Sequence, residues 1–208
     1  MIDTAFMITS FVTLFVIIDP IGLTPIFLAL TQGMTASERR GVAIRASLTA
    51  TFILALFTLF GEAVLAFVGI SMPAFRVAGG ALLFLTALDM LFERRTKRRE
   101  HQGEEATEVE DPSVFPISIP LIAGPGSIAT VILLAGQKPG IEGFALVMSI
   151  VLAVLSLMLV MFLVSGVLER LLGKTGINVV TRLLGMLLAA LSVQFILDGL
   201  RAFGFAAG

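Results

Sequence analysis

The sequence contains no cysteine, tryptophan or tyrosine, and its single histidine is His101. Without cysteine the chain forms neither disulfides nor thiolate metal sites, and nothing indicates a redox compartment. His101 lies in a charged stretch, so metal chemistry through imidazole is not expected and we predict neither a metal nor a cofactor. Because tyrosine and tryptophan are absent, aromatic belts of the usual kind cannot form at the two membrane surfaces.

Charged residues are also scarce. They make up 14% of the 208 residues, while 57% are hydrophobic, whereas ordinary globular chains carry about 25% charged residues. Mean hydropathy is +1.04, and several apolar runs exceed the ~18 residues that indicate a membrane span. We therefore predict an all-α, polytopic membrane protein that contacts the lipid bilayer. No basic face suggests a nucleic-acid partner, and the N-terminus lacks the basic region of a cleaved signal peptide.

Hydropathy predicts six spans, of which the first and fourth are interrupted. The first is broken at 19–22 and the fourth at 124–126, and Ser37 is a candidate N-cap for the second. In chain order the expected ranges are 4–30, 41–68, 74–92, 113–136, 144–172 and 178–203, with polar turns at 31–40, 69–73 and 137–143.

The basic residues predict the orientation of these spans. Eleven of the 14 lysines and arginines lie on one side, and Arg76, Lys138 and Arg201 lie on the other. By the positive-inside rule the first side is cytoplasmic, which places both termini outside. The central connection is basic and then acidic. We interpret it as a topology anchor with a solvated linker, although basic runs of this kind also bind lipids or regulate.

The two interruptions contain residues that a lipid-crossing helix does not normally tolerate. Ile17–Pro25 reads I-I-D-P-I-G-L-T-P, and Ala123–Ser127 reads A-G-P-G-S. Proline removes a backbone donor and clashes with the preceding turn, while glycine relaxes the backbone. Such backbone occurs at membrane depth only where it is packed in protein or lines a polar cavity. Two interruptions in corresponding places indicate the binding site of a transporter.

The two halves of the chain match when one is shifted by 105 residues. Prolines and glycines then coincide, in the pairs Pro20 with Pro125, Gly61 with Gly166, and Gly80 with Gly185. Because each half holds three spans, the second half must cross the membrane in the opposite direction. We predict two inverted three-helix repeats, 1–92 and 113–208, joined by a charged cytoplasmic loop, 93–112, with helices 1 and 4 discontinuous.

The chemistry of a broken helix suits a small zwitterion. Its second segment begins with unpaired N–H groups and the positive end of the helix dipole, which favour an anion. Its first segment ends with unpaired carbonyls, which together with a carboxylate favour a cation. Asp19 could hold an ammonium group, a proton or a sodium ion. The expected N–H donors are those of Gly22, Leu23, Thr24, Ser127 and Ile128.

Small residues at the breaks favour a small substrate. Glycines at 22, 124 and 126 allow a ligand to approach the backbone, and Thr24, Ser127 and Thr130 add short hydroxyls. A purely structural interpretation stands beside each of these roles. Asp19 would then only cap the broken helix, and the glycines, with Gly79 and Gly80, would serve close helix packing.

Three acidic residues are candidates for the coupling ion, H⁺ or Na⁺. They are Asp19, Glu62 and Asp89. Glu62 would either relay protons or extend to the interface, and Asp89 would pair with a loop arginine. Arg76, at the outer start of the third span, would extend to the interface or pair with Glu62.

The motifs resemble those of the MarC family, also called the six-span neutral amino acid transporter family. They are I-D-P-I-G-L-T-P-I-F in the first span, V-A-G-G-A-L-L-F-L in the third and P-L-I-A-G-P-G-S-I in the fourth. The resemblance covers essentially the whole chain. It implies an inner-membrane protein whose characterised relatives carry glycine, alanine and similar amino acids. It also implies eight site residues: Asp19, Pro20, Gly22, Pro25, Gly124, Pro125, Gly126 and Ser127.

We therefore predict a secondary transporter of small neutral amino acids, since no nucleotide-binding motif is present. An exporter of other small solutes and a non-transporting structural or regulatory protein remain alternatives. An enzyme is not expected, because the spans contain no nucleophile–base pair or metal-ligand set. The sequence does not specify the oligomeric state, the coupling ion or the direction of transport.

Overall fold

The structure is a computed structural model that describes residues 4–94 and 111–205, where all regular secondary structure is helical. The elements are α1 (Thr4–Ile18), α2 (Pro20–Leu30), α3 (Ala36–Val68), α4 (Met72–Leu91), α5 (Ser113–Ile122), α6 (Pro125–Gln137), α7 (Ile141–Leu163) and α8 (Ser165–Ala202). The predictions made for residues 95–110, including His101, concern residues outside this description.

Five stretches are long and apolar enough to cross a membrane. They are Thr4–Leu30, α3, α4, α7 and Thr175–Ala202. Helices α5 and α6, which meet at a bend of 57°, make a sixth span when counted together. The prediction of an all-helical, polytopic membrane protein is confirmed, with five spans or six.

Helix α3 begins with a capping box. Thr35 Oγ1 accepts a hydrogen bond from Glu38 N at 3.3 Å, and Thr35 N donates to Glu38 Oε2 at 2.7 Å. Ser37 was the wrong N-cap candidate, since it lies inside the first turn. The sequence T-A-S-E satisfies the box only from Thr35, because the reciprocal glutamate must lie three residues after the cap. Ser71 caps α4 in turn, by accepting from Ala74 N at 3.4 Å.

The fifth span ends earlier than predicted. Helix α7 ends at Leu163 rather than near Leu172, and Ser165 starts a separate helical stretch that kinks at Gly173, where φ is +60°. Hydropathy missed this boundary because apolar residues continue beyond it, at Val167, Leu168, Leu171 and Leu172. The sixth span is then the later part of α8, from Thr175.

The first span lies at the centre of the bundle. In its most apolar 18-residue stretch 67% of the residues are buried, against 22 to 39% in the corresponding stretches of α3, α4, α7 and α8. Helix α6 is buried along Ser127–Leu134, apart from Ile128. Phe27 of α2 stacks on Phe162 of α7, with ring centroids 4.3 Å apart. The two spans with interruptions therefore form the core that the long helices enclose.

Candidate functional site

The first interruption is centred on Asp19. Helix α1 ends at Ile18, and Asp19 adopts the left-handed conformation, with φ 57° and ψ 63°. Its N–H still donates to Phe15 O at 2.9 Å, and its Oδ1 accepts from Gly22 N at 3.1 Å. The residue is 1% exposed. Asp19 therefore caps α2, and since a carboxylate can accept from several donors this bond does not decide its further role.

Glycine at position 22 is required by this cap. A Cβ atom there would overlap the Asp19 carboxylate, which folds over the first turn of α2. One turn later, Thr24 Oγ1 donates to Pro20 O at 2.9 Å. The acidic group, its glycine and the threonine thus form one buried turn.

The second interruption lacks a carboxylate. Gly124 is extended, with φ −90° and ψ 174°, and Pro125 opens α6. Ser127 Oγ donates across the break to Ile122 O at 2.6 Å and to Gly124 O at 3.0 Å. Thr130 Oγ1 donates to Gly126 O at 2.8 Å. The hydroxyls of both breaks thus donate to backbone carbonyls, and their oxygens keep acceptor capacity.

The backbone N–H groups outside the helical hydrogen bonds lie nearer the start of each helix than predicted. Leu23 N donates to Asp19 O at 3.0 Å, and Ile128 N donates to Gly124 O at 3.0 Å, because each begins the regular ladder of its helix. The N–H groups that precede the ladder belong to Ile21 and Gly22 in α2 and to Gly126 and Ser127 in α6. Thr24 falls inside the ladder for the same reason as Leu23.

The two interruptions contact each other. A Cβ atom on Gly126 would lie 2.9 Å from Ile17 Cδ1 and 3.9 Å from Leu83 Cδ2. The last turn of α1 therefore packs directly on the first turn of α6, with α4 beside both.

Most of the predicted site is buried. The residues that are buried along with Asp19 are Pro20, Leu23, Thr24, Gly124, Ser127 and Thr130. Gly22, Pro25, Gly126 and Ile128 are half-buried, and Pro125 is exposed.

The other acidic candidates lie away from this contact. Glu62 is exposed on α3, beside a cavity of about 370 Å³ at the α3–α4 turn that Gly69, Ser71 and Met72 also line. Asp89 is half-buried near the end of α4. Within the described residues Arg76 makes no ion pair with Glu62. Gly79 and Gly80 pack against α6 and α8, as their structural interpretation predicted.

Sequence reasoning missed two kinds of group. The N–H of Ile21 carried no signal, because an isoleucine in an apolar run looks like any packing residue. Ser10 was missed for the same reason, although it is buried on the face of α1 that also carries Ile17. Arg76 was visible as an isolated charge in an apolar span, but its neighbours could not be assigned from the sequence.

These helices define a polytopic α-helical membrane protein in which two breaks lie buried inside the bundle. The family model described as "MarC family integral membrane protein" matches residues 4–203, and the chain therefore belongs to the MarC family.

Curated relatives match at nearly full length. A UPF0056 membrane protein of Bacillus subtilis, YvbG, is 42% identical over 95% of this chain and 95% of its own length. A UPF0056 membrane protein of Aquifex aeolicus is 40% identical over 93% and 92% of the two chains. One of Methanocaldococcus jannaschii is 36% identical over 96% and 98%. No solved structure matches the chain. The names of these three relatives describe membrane proteins without a substrate.

Proposed function

We propose that this protein is a secondary transporter of small neutral amino acids, of the glycine and alanine class, across the cytoplasmic membrane. Its site lies between the discontinuous helices α1–α2 and α5–α6. The observation that carries the proposal is the direct contact of the two interruptions, where Ile17 packs on Gly126 at the centre of the bundle. Broken backbone at membrane depth is found where it is packed in protein or lines a polar cavity, and paired breaks characterise transporter sites.

Helix packing supports the inverted repeat on which this mechanism depends. Exchanging α1 with α5, α2 with α6, α3 with α7 and α4 with α8 turns several helix contacts into others that also occur. The contacts of α3 with α5 and α6 correspond to those of α7 with α1 and α2. The contact of α4 with α6 corresponds to that of α8 with α2. The α4–α8 contact, the most extensive in the bundle, maps onto itself.

The backbone contacts of α4 with α8 support the repeat at atomic detail. A Cβ atom on Gly80 would lie 2.9 Å from the carbonyl oxygen of Ser192 and 3.0 Å from the amide nitrogen of Ile196. Gly80 therefore crosses α8 at a point where the two backbones touch.

The reciprocal contact involves the residues offset by 105. A Cβ atom on Gly185 would lie 3.2 Å from the carbonyl oxygen of Ala87 and 3.4 Å from the amide nitrogen of Leu91. Each glycine thus meets the carbonyl oxygen of one residue and the amide nitrogen of the residue four positions later on the partner helix. A pseudo-two-fold axis through this crossing is the arrangement expected of inverted repeats.

The unequal chemistry of the two breaks suits a zwitterion. Asp19 brings a negative charge to the first, whereas the second combines the N-terminus of α6 with uncharged Gly124 and Ser127. An ammonium group would bind on the Asp19 side and a carboxylate on the α6 side. Close packing around Gly22 and Gly126 leaves little room for a bulky side chain. Asp19 is also the coupling residue for H⁺ or Na⁺ that we favour, because Glu62 and Asp89 lie elsewhere.

Transport in proteoliposomes tests the proposal. We expect uptake or exchange of alanine and glycine that tryptophan inhibits poorly. Asp19→Asn should abolish uptake driven by a proton or sodium gradient while changing the melting temperature little, because asparagine also caps helices well. The matched control is Glu62→Gln, which neutralises an exposed carboxylate outside the site.

Three results would count against the proposal. Absence of saturable alanine transport by wild-type protein would reject the function. Normal gradient-driven uptake by Asp19→Asn together with loss in Glu62→Gln would move coupling out of the broken helix. Loss of fold in Asp19→Asn would show that the carboxylate neutralises a buried partner, because breaking a buried pair costs about 3–5 kcal/mol.

A further inference from the structure

Of the five buried polar atoms that have no hydrogen-bond partner among the described residues, two lie on the helices that pack at Gly126. They are Ser10 Oγ on α1 and Arg76 Nε on α4. Ser10 is 1% exposed, and Arg76 is half-buried. Buried polar groups are nearly always hydrogen-bonded, and an unpaired one costs stability. Both of these groups therefore require an explanation.

Both residues lie at the same depth relative to the contact between the breaks. Ile17 and Leu83 approach Gly126 from α1 and α4. Ser10 precedes Ile17 by seven residues, and Arg76 precedes Leu83 by seven, so helical periodicity places each on the same face as its partner. At 1.5 Å per residue both lie about 10 Å from the breaks, towards the N-terminal ends of their helices.

The contacts of α6 show that these two ends lie on one side of the molecule. Met72 packs on Gly136, and Leu133 packs on Gly79, so α6 runs from the break towards the start of α4. Lys138, just beyond α6, lies 5.6 Å from the ring centroid of Phe6, near the start of α1. Ser10 and Arg76 thus flank the same end of α6. In the proposed topology this is the outer side.

We propose that Arg76 and Ser10 form an outer binding site for the carboxylate of the substrate, about 10 Å outside the breaks. This inference deepens the proposed function and rests on it. A guanidinium and a hydroxyl both donate hydrogen bonds, and a carboxylate accepts several, so the group that satisfies both is an anion of this kind. The substrate binds here before it reaches Asp19, where its ammonium group binds.

The inner side has a neutral counterpart. The residue that corresponds to Arg76 in the second half is Thr181 of α8, which is 4% exposed and whose Oγ1 also has no hydrogen-bond partner among the described residues. Ser113 Oγ, at the start of α5, is a further unpaired atom of this half. Arg39 Nε, at the start of α3, is the fifth unpaired atom, but its guanidinium also donates to Thr31 O at 3.5 Å. At the position that corresponds to Arg76, the inner side thus has a hydroxyl in place of a guanidinium.

Ligand binding to the purified protein in nanodiscs tests the site. The probes are alanine, acetate and alaninamide, each followed by the ligand-dependent rise in melting temperature. We expect wild-type protein to respond to alanine and acetate, and alaninamide to act weakly. Arg76→Gln should weaken the affinity for alanine and for acetate by about 10- to 100-fold, and Ser10→Ala should weaken it by about 3- to 10-fold. Arg201→Gln, an exposed cation on the same side in the proposed topology, is the matched control and should bind as wild type.

A second readout separates binding from a structural role. Without ligand, Arg76→Gln should melt at the same temperature as wild type or higher, because it removes an unsatisfied buried donor. A clear fall in that temperature would show that Arg76 holds the fold and would overturn the site.

The remaining outcomes distinguish this site from the proposed function. Alanine transport with unchanged alanine affinity in Arg76→Gln rejects the outer site alone. Arg76-dependent acetate binding without any amino acid transport rejects the function and keeps the carboxylate site. Three results would each overturn the carboxylate assignment. They are binding of alaninamide as tight as that of alanine, a rise in melting temperature with chloride equal to that with acetate, and no response of wild-type protein to acetate or to alanine.

Discussion

Gly126 sets how closely the two interrupted spans approach each other. Its missing Cβ leaves the space that the Ile17 side chain fills, and Leu83 borders the same space. Gly22 acts differently, because its missing Cβ makes room for the carboxylate that caps its own helix. One glycine thus determines a contact between helices, and the other determines the geometry of a charge.

Gly126→Ala should destabilise the protein by about 1–3 kcal/mol, because the new Cβ would lie 2.9 Å from Ile17 Cδ1. Adding Ile17→Ala should recover part of that loss, giving a coupling of about 0.5–3 kcal/mol in a double-mutant cycle of thermal unfolding. Gly166→Ala is the control, since nothing lies within 4 Å of its added Cβ. Additive effects of the first pair would show that the spans do not meet at this point.

The two breaks of the candidate site could be predicted from residue types, but their hydrogen bonds could not. Asp19, Pro20, Gly22, Gly124 and Pro125 disrupt helices through their own chemistry, so the sequence locates both breaks. Which N–H group stays outside the helical ladder depends on where the ladder begins, and one residue decides it. Ser10 acquires its interest only from burial without a partner, which is a property of packing.

Among the elements, α5 departs furthest from a regular helix. Pro116 and Pro120 lie inside it, and its hydrogen bonds span five residues, from Ile117 N to Pro112 O at 3.2 Å and from Ala123 N to Ser118 O at 2.8 Å. Ser118 Oγ also donates to Ala46 O of α3 at 2.9 Å. Hydropathy predicts an apolar span here but cannot predict its winding, because that depends on how prolines and neighbouring helices share backbone groups.

The start of α5 is held to α3 by a carboxylate. Asp111 Oδ2 lies 3.0 Å from Arg45 Nη2, and Asp111 Oδ1 accepts from Ser113 N at 3.0 Å. Partial burial acts to raise the pKa of Asp111, but the hydrogen bond from Ser113 N and the guanidinium of Arg45 together lower it below its ordinary value. The ionised form is therefore bound more strongly in the folded protein.

A lowered pKa stabilises the fold above the unfolded pKa, which is about 3.9, and that contribution is lost as pH falls through the folded value. Asp111→Asn should thus lower the melting temperature slightly at pH 7, by the equivalent of no more than about 1 kcal/mol, since both side chains are about half exposed. The difference between variant and wild type should shrink below about pH 4, and also in high salt. A difference that persists in acid would assign it to the Ser113 hydrogen bond instead.

At the scale of the whole molecule, helix content and most span boundaries follow from composition, because apolar length is what a bilayer selects. The end of α7 was missed because lipid-exposed and interfacial apolar residues look alike in sequence. The shift of 105 residues predicts which helices correspond in the proposed repeat, but which helices pack on each other could not be predicted from the sequence.

The proposed orientation can be tested by cysteine labelling, because the chain has no native cysteine. Gln32→Cys, in the exposed connection between α2 and α3, should react with an impermeant maleimide only from the cytoplasm. Ile70→Cys, in the exposed turn before α4, should react only from outside. Reaction of both positions from one side would contradict the proposed arrangement of spans.

The crossing of α4 and α8 has an evolutionary consequence. Contacts that survive exchange of the two helices are those that two copies of one short chain would make after inserting in opposite directions. Such an ancestor has to insert both ways, so its flanking charges cannot favour either direction. Under the proposed inverted repeat, fusion into one chain would remove that requirement and let each half diverge. Arg76 and Asp19 could appear in one half while Thr181 and Gly124 occupy the matching places in the other, so selection could act on the direction of passage without altering the packing that both halves share.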